Sequence, residues 1–170
     1  MKLEEALIVM NRVKAGEKTT RTVQKEVSDT LSSLFECSIE FFSDCIDITV
    51  RNEDFKFCSR SYKWQKAEVT ADWIKNKVIQ TESQINKGSV SLNLAKIINK
   101  ELNLGYAFYI SSYGIGTDNF FGRNYEREEK ISEFLTKNGI KHRVELSDKG
   151  WVTRFLLSKE KENLEKIKSL

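Results

Sequence analysis

The chain has 170 residues, 39% of them hydrophobic, and its 28 basic and 25 acidic side chains leave a net charge of +3. That length suits one ordinary domain or two very small ones. The charge is too balanced to imply nucleic acid by itself, and no apolar run approaches the ~18 residues of a transmembrane helix, so no membrane partner is expected.

The N-terminal stretch MKLEEALIVMNRVK carries two Glu ahead of its apolar residues and no small-residue cleavage site. It reads as a helix and not as a signal peptide. Leu3, Ala6, Leu7, Met10 and Val13 fall on one helical stripe, which Ala15-Gly16 ends. Thr19 or Thr20 can cap a second helix, where Val23, Val27, Leu31 and Leu34 recur every three or four residues. Two helices joined by so short a loop should lie antiparallel. Cys37, Cys45 and Cys58 are the only cysteines. An odd number without a secretion signal predicts reduced thiols and a cytoplasmic protein.

The period then changes. Ile39 and Phe41, then Ile46, Ile48 and Val50, then Phe55 and Phe57 alternate with polar residues, and Ser43-Asp44 and the Arg51 to Asp54 stretch separate the runs. This is a three-stranded meander, with those seven residues toward the helices. Residues 61–66 form a connection, and Val69, Trp73, Ile74 and Val78 suggest a helix over 67–82. The stretch QTESQINKGS (80–89) is the most loop-like in the chain and the best candidate boundary between 1–85 and 86–170. Ser91 can cap a helix to about Asn103, with Gly105 at its C-cap.

The last third predicts a strand over 106–110, a turn over 111–116, a short strand over 117–121, and a helix from about Asn124 to Asn138-Gly139. A hairpin over 140–157 follows. Its turn is Ser147-Asp148-Lys149-Gly150, with Gly where a positive φ is needed. That turn sets Leu146 opposite Trp151, Val144 opposite Thr153, His142 opposite Phe155 and Ile140 opposite Leu157, on an inner apolar face. The outer face holds Lys141, Arg143 and Glu145 against Leu156, Arg154 and Val152, with Arg143 directly opposite Arg154. Ser158 caps a last helix, with Leu164 and Ile167 inward. The fold class is therefore α+β: small, mainly antiparallel sheets packed against helices, an N-terminal meander and a C-terminal ββαββα unit. The two halves either share one core or fold separately.

Several groups can carry chemistry, and each has a plainer reading beside it. Arg143, Arg154 and Lys141, with Val152 and Leu156 on the same face, suit an anionic or protein partner; the plainer reading is a solvated face neutralised by Glu145. Tyr113-Gly114-Ile115-Gly116-Thr117, leading to Gly122-Arg123-Asn124, places glycines near a helix start, as phosphate loops do. It lacks the spacing of a P-loop, and glycines in a hairpin turn explain it. Tyr113, Phe120, Phe121 and Arg123 can form a contact surface or stack on unpaired bases, although such residues more often belong to a core. His142, the only histidine, is expected to pack in the core among Ile140, Val144 and Phe155. Cys45 and Cys58 share a face with Glu40 and Asp47 without Zn²⁺ spacing, so no metal is expected there and no cofactor elsewhere. Glu40 and Asp47 are cross-strand carboxylates, with Lys56 and Arg60 as their nearest basic partners.

The segments SSYGIG and ELSDKGWVTRFLLSKEKENLEKI, over roughly 105–167, resemble short proteins carried by phages, plasmids and other mobile elements. The resemblance brings no activity and no residue role. It implies an anti-defence or regulatory protein that works by occupying another protein, anti-CRISPR proteins being one example. Three functions follow as expectations. The leading one is a non-enzymatic inhibitor of a host protein or nucleoprotein complex. The second is a DNA- or RNA-binding module using Lys141, Arg143, Arg154, Tyr113 and Arg123. The third is an enzyme, with His142 as its one obvious base. The oligomeric state is open.

Overall fold

Apolar side chains at helical spacing make the first two elements α-helices, α1 (Leu3–Lys14) and α2 (Arg21–Phe35). The computed structural model describes residues 1–42, 45–61, 68–86 and 90–170. The Thr20 hydroxyl caps α2 by accepting from the Val23 N–H at 3.2 Å. Contacts divide the chain into two units. The first comprises Met1–Val50 and Cys58–Gln84, the second Arg51–Phe57 and Ile85–Leu170.

In the first unit, α1 packs on α2 and α2 on β1 (Ser38–Phe41). β1 runs antiparallel to β2 (Ile46–Arg51), with Ile39 opposite Ile48 and Phe41 opposite Ile46. Those four side chains join Ala6, Met10, Val13, Val27 and Leu31 in one buried cluster. The turn expected at 43–44 lies outside the described residues, as does nearly all of the connection expected at 61–66. β3 (Phe55–Ser61) completes the three strands expected of the meander. Val69 precedes the next helix and is tied to α1. Its N–H donates to Asn11 Oδ1 at 3.2 Å, and its carbonyl accepts from Asn11 Nδ2 at 3.0 Å.

That helix, α3 (Ala71–Asn86), runs through most of the stretch expected to be a loop. Its polar sequence concealed two inward positions: Thr81 and Ile85 are buried, and the Thr81 hydroxyl donates to the Lys77 carbonyl at 2.8 Å. A side chain that bonds back to its own helix needs no other partner. The remainder of that loop, 87–89, is outside the described residues.

The second unit opens on α4 (Val90–Leu102). Ser91 does not cap it. The side chain is buried within the first turn, where its oxygen accepts from the Gly114 N–H at 2.8 Å. At the other end, Asn103 at φ 50° takes the left-handed position expected of Gly105, which lies two residues beyond at φ 57°. The ββαββα order then appears as expected: β4 (Phe108–Ser111), β5 (Gly114–Asp118), α5 (Tyr125–Lys137), β6 (His142–Leu146), β7 (Val152–Leu157) and α6 (Lys161–Lys168). Asn124 caps α5 by accepting from the Arg127 N–H at 2.9 Å. α6 begins later than expected: Glu160 is its N-cap residue, and Ser158 Oγ accepts from the Glu160 N–H at 3.3 Å.

The strand order is β4-β5-β7-β6, all antiparallel, and the first residues of β3 add a parallel strand beside β4 through Phe55–Phe108 and Lys56–Tyr109. α4 packs on β4 and β5 and against α5 and α6. Leu94, Ile98, Phe108, Ile115, Ile131, Leu135, Phe155 and Ile167 are buried.

Two expectations about this sheet need correction. The glycines of Tyr113-Gly114-Ile115-Gly116 lie in β5, and the turn is Ser112-Tyr113. A Cβ on Gly116 would sit 2.8 Å from Val152 Cγ1, and one on Gly114 would sit 2.9 Å from the Phe155 carbonyl oxygen. These glycines let β7 and its side chains close over the strand. The hairpin register also differs by two residues. His142 faces Leu157, Val144 faces Phe155, Leu146 faces Thr153, and Arg154 faces Glu145 in place of Arg143. The cause is the turn. Asp148–Gly150 forms a short 3₁₀ segment in which Lys149 (φ 64°) and Gly150 (φ 71°) are both left-handed. Pairing then resumes at Ser147 and Val152, and Trp151 stays in the turn, exposed, where a buried strand residue was expected. A shift of two preserves the faces, so the arginines still point outward.

Candidate functional site

The residues expected to bind separate into three places in the second unit. The first is a cleft of about 640 Å³ where the β4–β5 turn meets the start of β6 and the end of β7. Tyr113, Lys141, Arg143 and Leu156 all line it, joined by Ser111, Ser112, Ser158 and Lys159. Buried Asn163, on α6, holds the cleft together. Its Oδ1 accepts from the Lys141 N–H at 2.6 Å, and its Nδ2 donates to the carbonyls of Lys141 and Ser158 at 3.0 and 2.9 Å.

Two of the cations in the cleft have acidic neighbours. Lys141 Nζ lies 2.8 Å from Glu160, whose hydrogen bond and charge raise the lysine above its ordinary value. The same bond holds the Glu160 carboxyl below its own. Arg143 is 3.7 Å from Glu145. Lys159 lies over the Tyr113 ring at 5.0 Å, and among the described residues it has no carboxylate partner. Hydroxyls, cations and one aromatic edge suit an anion such as a phosphate.

The second place is the sheet face beside the cleft. Tyr109, Gly116, Arg154 and Glu145 lie in one row across it, and Val152 and Leu156 flank that row on β7. A shallow depression of about 210 Å³ on this face is lined by Tyr109, Gly116, Val152, Arg154 and Leu156. Arg154 is exposed, and its cross-strand neighbour is a carboxylate, so the like-charge strain expected between Arg143 and Arg154 is absent.

Arg123 is elsewhere. It follows the far end of β5 from Tyr113, a strand length of roughly 15 Å. Its Nε donates to both oxygens of buried Glu128, at 3.0 and 2.9 Å, and its guanidinium lies 4.6 Å from the Tyr125 ring centre. That hydrogen bond and the Glu128 charge raise Arg123 above its ordinary value.

The third place is an aromatic corner beside Arg123. Asn119 begins a tight turn in which the Gly122 N–H donates to its carbonyl at 3.0 Å, so Phe120 and Phe121 take the two central positions. Side chains there have no core to face. Phe121 is 98% exposed, Phe120 64% and Trp151 52%. Phe120 stacks on Trp151 at 5.8 Å and meets Phe121 edge-on at 4.9 Å. Asn119 braces the corner: its N–H donates to the Trp151 carbonyl at 2.8 Å, and its side-chain amide donates to Gly150 O and Thr153 Oγ1 at 3.1 and 2.9 Å. Phe120 and Phe121 were legible as candidates. Trp151 was not, because strand alternation assigned it to the core.

The remaining candidates have structural settings. His142 is half-buried, with Nδ1 3.0 Å from Ile140 O. Glu40 and Asp47 are direct cross-strand partners, and Asp47 forms a two-point pair with Arg60 at 2.7 and 2.6 Å. Lys56 goes instead to Asp118 at 3.4 Å and to the Tyr109 ring. None of the three cysteines is in a disulfide. Among the described residues no three His, Cys, Asp or Glu are grouped to hold a metal, and no helix is long and apolar enough to cross a membrane. No family model, curated protein or solved structure matches the chain.

Proposed function

We propose that the chain is a non-enzymatic binding protein that docks on another protein through the Phe120–Phe121–Trp151 corner. The observation that carries this reading is that three large aromatics stand together in solvent on a turn braced by Asn119. Exposed aromatic clusters with an adjacent arginine supply the anchors of protein interfaces. Arg123 and Tyr125 form the polar rim. The resemblance to mobile-element proteins directs the proposal to a host complex that the chain blocks by occupation.

The test is recovery of a stoichiometric host partner by the tagged full chain, compared with Phe121→Ala and Trp151→Ala. Recovery should fall by about tenfold or more in each variant at an unchanged melting temperature. A partner retained equally by the double variant would overturn the reading.

A second reading rests on the cleft, where Lys141, Arg143 and Lys159 surround Tyr113. It is a nucleic-acid site, and it predicts binding that weakens steeply with salt. A gel shift with single- and double-stranded DNA and RNA that stays flat at low salt would remove it.

A further inference from the structure

β6 ends its sheet: β7 pairs with one side, and among the described residues no strand pairs with the other. The ladder to β7 uses the backbone of the odd-numbered residues. The Ser147 N–H donates to Val152 O at 2.8 Å, and the Ser158 N–H donates to Lys141 O at 3.0 Å. The N–H and C=O groups of His142, Val144 and Leu146 therefore point off the edge. Their side chains, on the helix-covered face, stay partly in solvent, with Val144 42% and Leu146 49% exposed. An open edge beside apolar side chains is a template for another strand.

The order of charges along β6 selects that strand. In an antiparallel pairing of His142–Leu146 with itself about a two-fold axis at Val144, Arg143 faces Glu145 of the second copy, and Glu145 faces its Arg143. His142 faces Leu146, and Val144 faces Val144. Every outward-pointing residue then meets another outward-pointing residue, so backbone bonding and charge agree on one register. Moving the axis to Arg143 sets arginine against arginine, and moving it to Glu145 sets glutamate against glutamate; both are unfavourable. A two-fold strand pairing of this kind is self-complementary and closed.

We propose that β6 is a homodimerisation edge whose occupant is the β6 strand of a second copy, joined about Val144. The pairing covers Val144 and Leu146 and gives each Arg143 a second carboxylate. It also places the two basic clefts at opposite ends of the joined strands, because Lys141 meets Ser147.

Sedimentation or light scattering of the full chain tests this directly. Wild type should show twice the chain mass at concentrations up to roughly 100 µM. Arg143→Glu and Glu145→Arg should each be monomeric, and the double exchange should restore the dimer. Val144→Pro removes only an outward N–H, so it should yield a folded monomer by circular dichroism. A monomeric wild type, single reversals that remain dimeric, or a double exchange that stays monomeric would each overturn the proposal. The readout is mass, so it is independent of whatever the cleft or the aromatic corner binds.

Discussion

Asn163 and Lys141 exchange hydrogen bonds in both directions, the lysine N–H to Oδ1 at 2.6 Å and Nδ2 to the lysine carbonyl at 3.0 Å. With a third bond to Ser158 O, one buried side chain fixes the start of β6 against the end of β7. Asn163→Ala leaves the Lys141 N–H and the Ser158 carbonyl without their partner, while the Lys141 carbonyl keeps the Ser158 N–H at 3.0 Å. Denaturant titration should show a loss of about 2–4 kcal/mol, given ~1–3 kcal/mol for each buried group left unpaired and partial rescue by water. Asn163→Asp keeps the acceptor but turns a lone pair toward two carbonyls, so it should not recover the loss.

The β5 glycines make a comparison with two different obstacles. Beside Gly116 the obstacle is the Val152 side chain; beside Gly114 it is the Phe155 backbone. Gly116→Ala should cost about 1–3 kcal/mol, as overpacking does, and much of that should return in the Gly116→Ala/Val152→Ala pair. Gly114→Ala should cost at least as much and should not be rescued by Leu156→Ala, because a carbonyl in a strand ladder cannot be trimmed away. Thermal and denaturant melts of the four variants check both statements.

How far the sequence could be read follows from these same positions. Period-2 alternation located the strands of the meander and of the β6–β7 hairpin, and a threonine cap located the start of α2, because those signals act over a few residues, whereas β5 runs over Gly114–Asp118 where a turn to 116 and a strand over 117–121 were expected. The hairpin register depended on whether a lysine would accept a positive φ. Lys149 does, which moved the pairing by two residues and left Trp151 in solvent. The glycine pair looked like a loop because its purpose, room for Val152 and close approach of β7, exists only once the strands are paired. The edge position of β6 was likewise invisible: Val144 and Leu146 have inward patterning, but no strand lies beyond them. Of the residues expected to bind, Lys141, Arg143, Tyr113 and Leu156 line one cleft with Lys159, and that meeting depended on topology.

Cys37 provides a pH-dependent signal. Burial, reinforced by the negative charge of Glu82, raises its thiol from 9.0 to about 11. The fold therefore favours the protonated form. That contribution is complete below the unfolded value of 9.0 and is lost as pH rises through about 11. Wild type should lose more stability between those two pH values than Cys37→Ala does, with the variant controlling for other groups that titrate there. At neutral pH the Cys37 thiolate is about 100-fold scarcer than in an ordinary cysteine, so alkylation followed by mass spectrometry should find it correspondingly slow.

Arg123 is the candidate whose binding and structural roles must be separated. Its guanidinium holds the buried Glu128 carboxylate at the first turn of α5, beside the aromatic corner. Arg123→Ala strands that charge, and the unpaired carboxylate should lower the melting temperature. Arg123→Ala/Glu128→Leu removes both charges and should melt above the single variant, since an apolar replacement needs no partner. A partner that contacts Arg123 directly would be lost in the single and the double variant alike. A partner that needs only an intact corner would return with the double variant, as thermal stability does. Partner recovery measured beside the melting curves therefore places Arg123 either in the interface or beneath it.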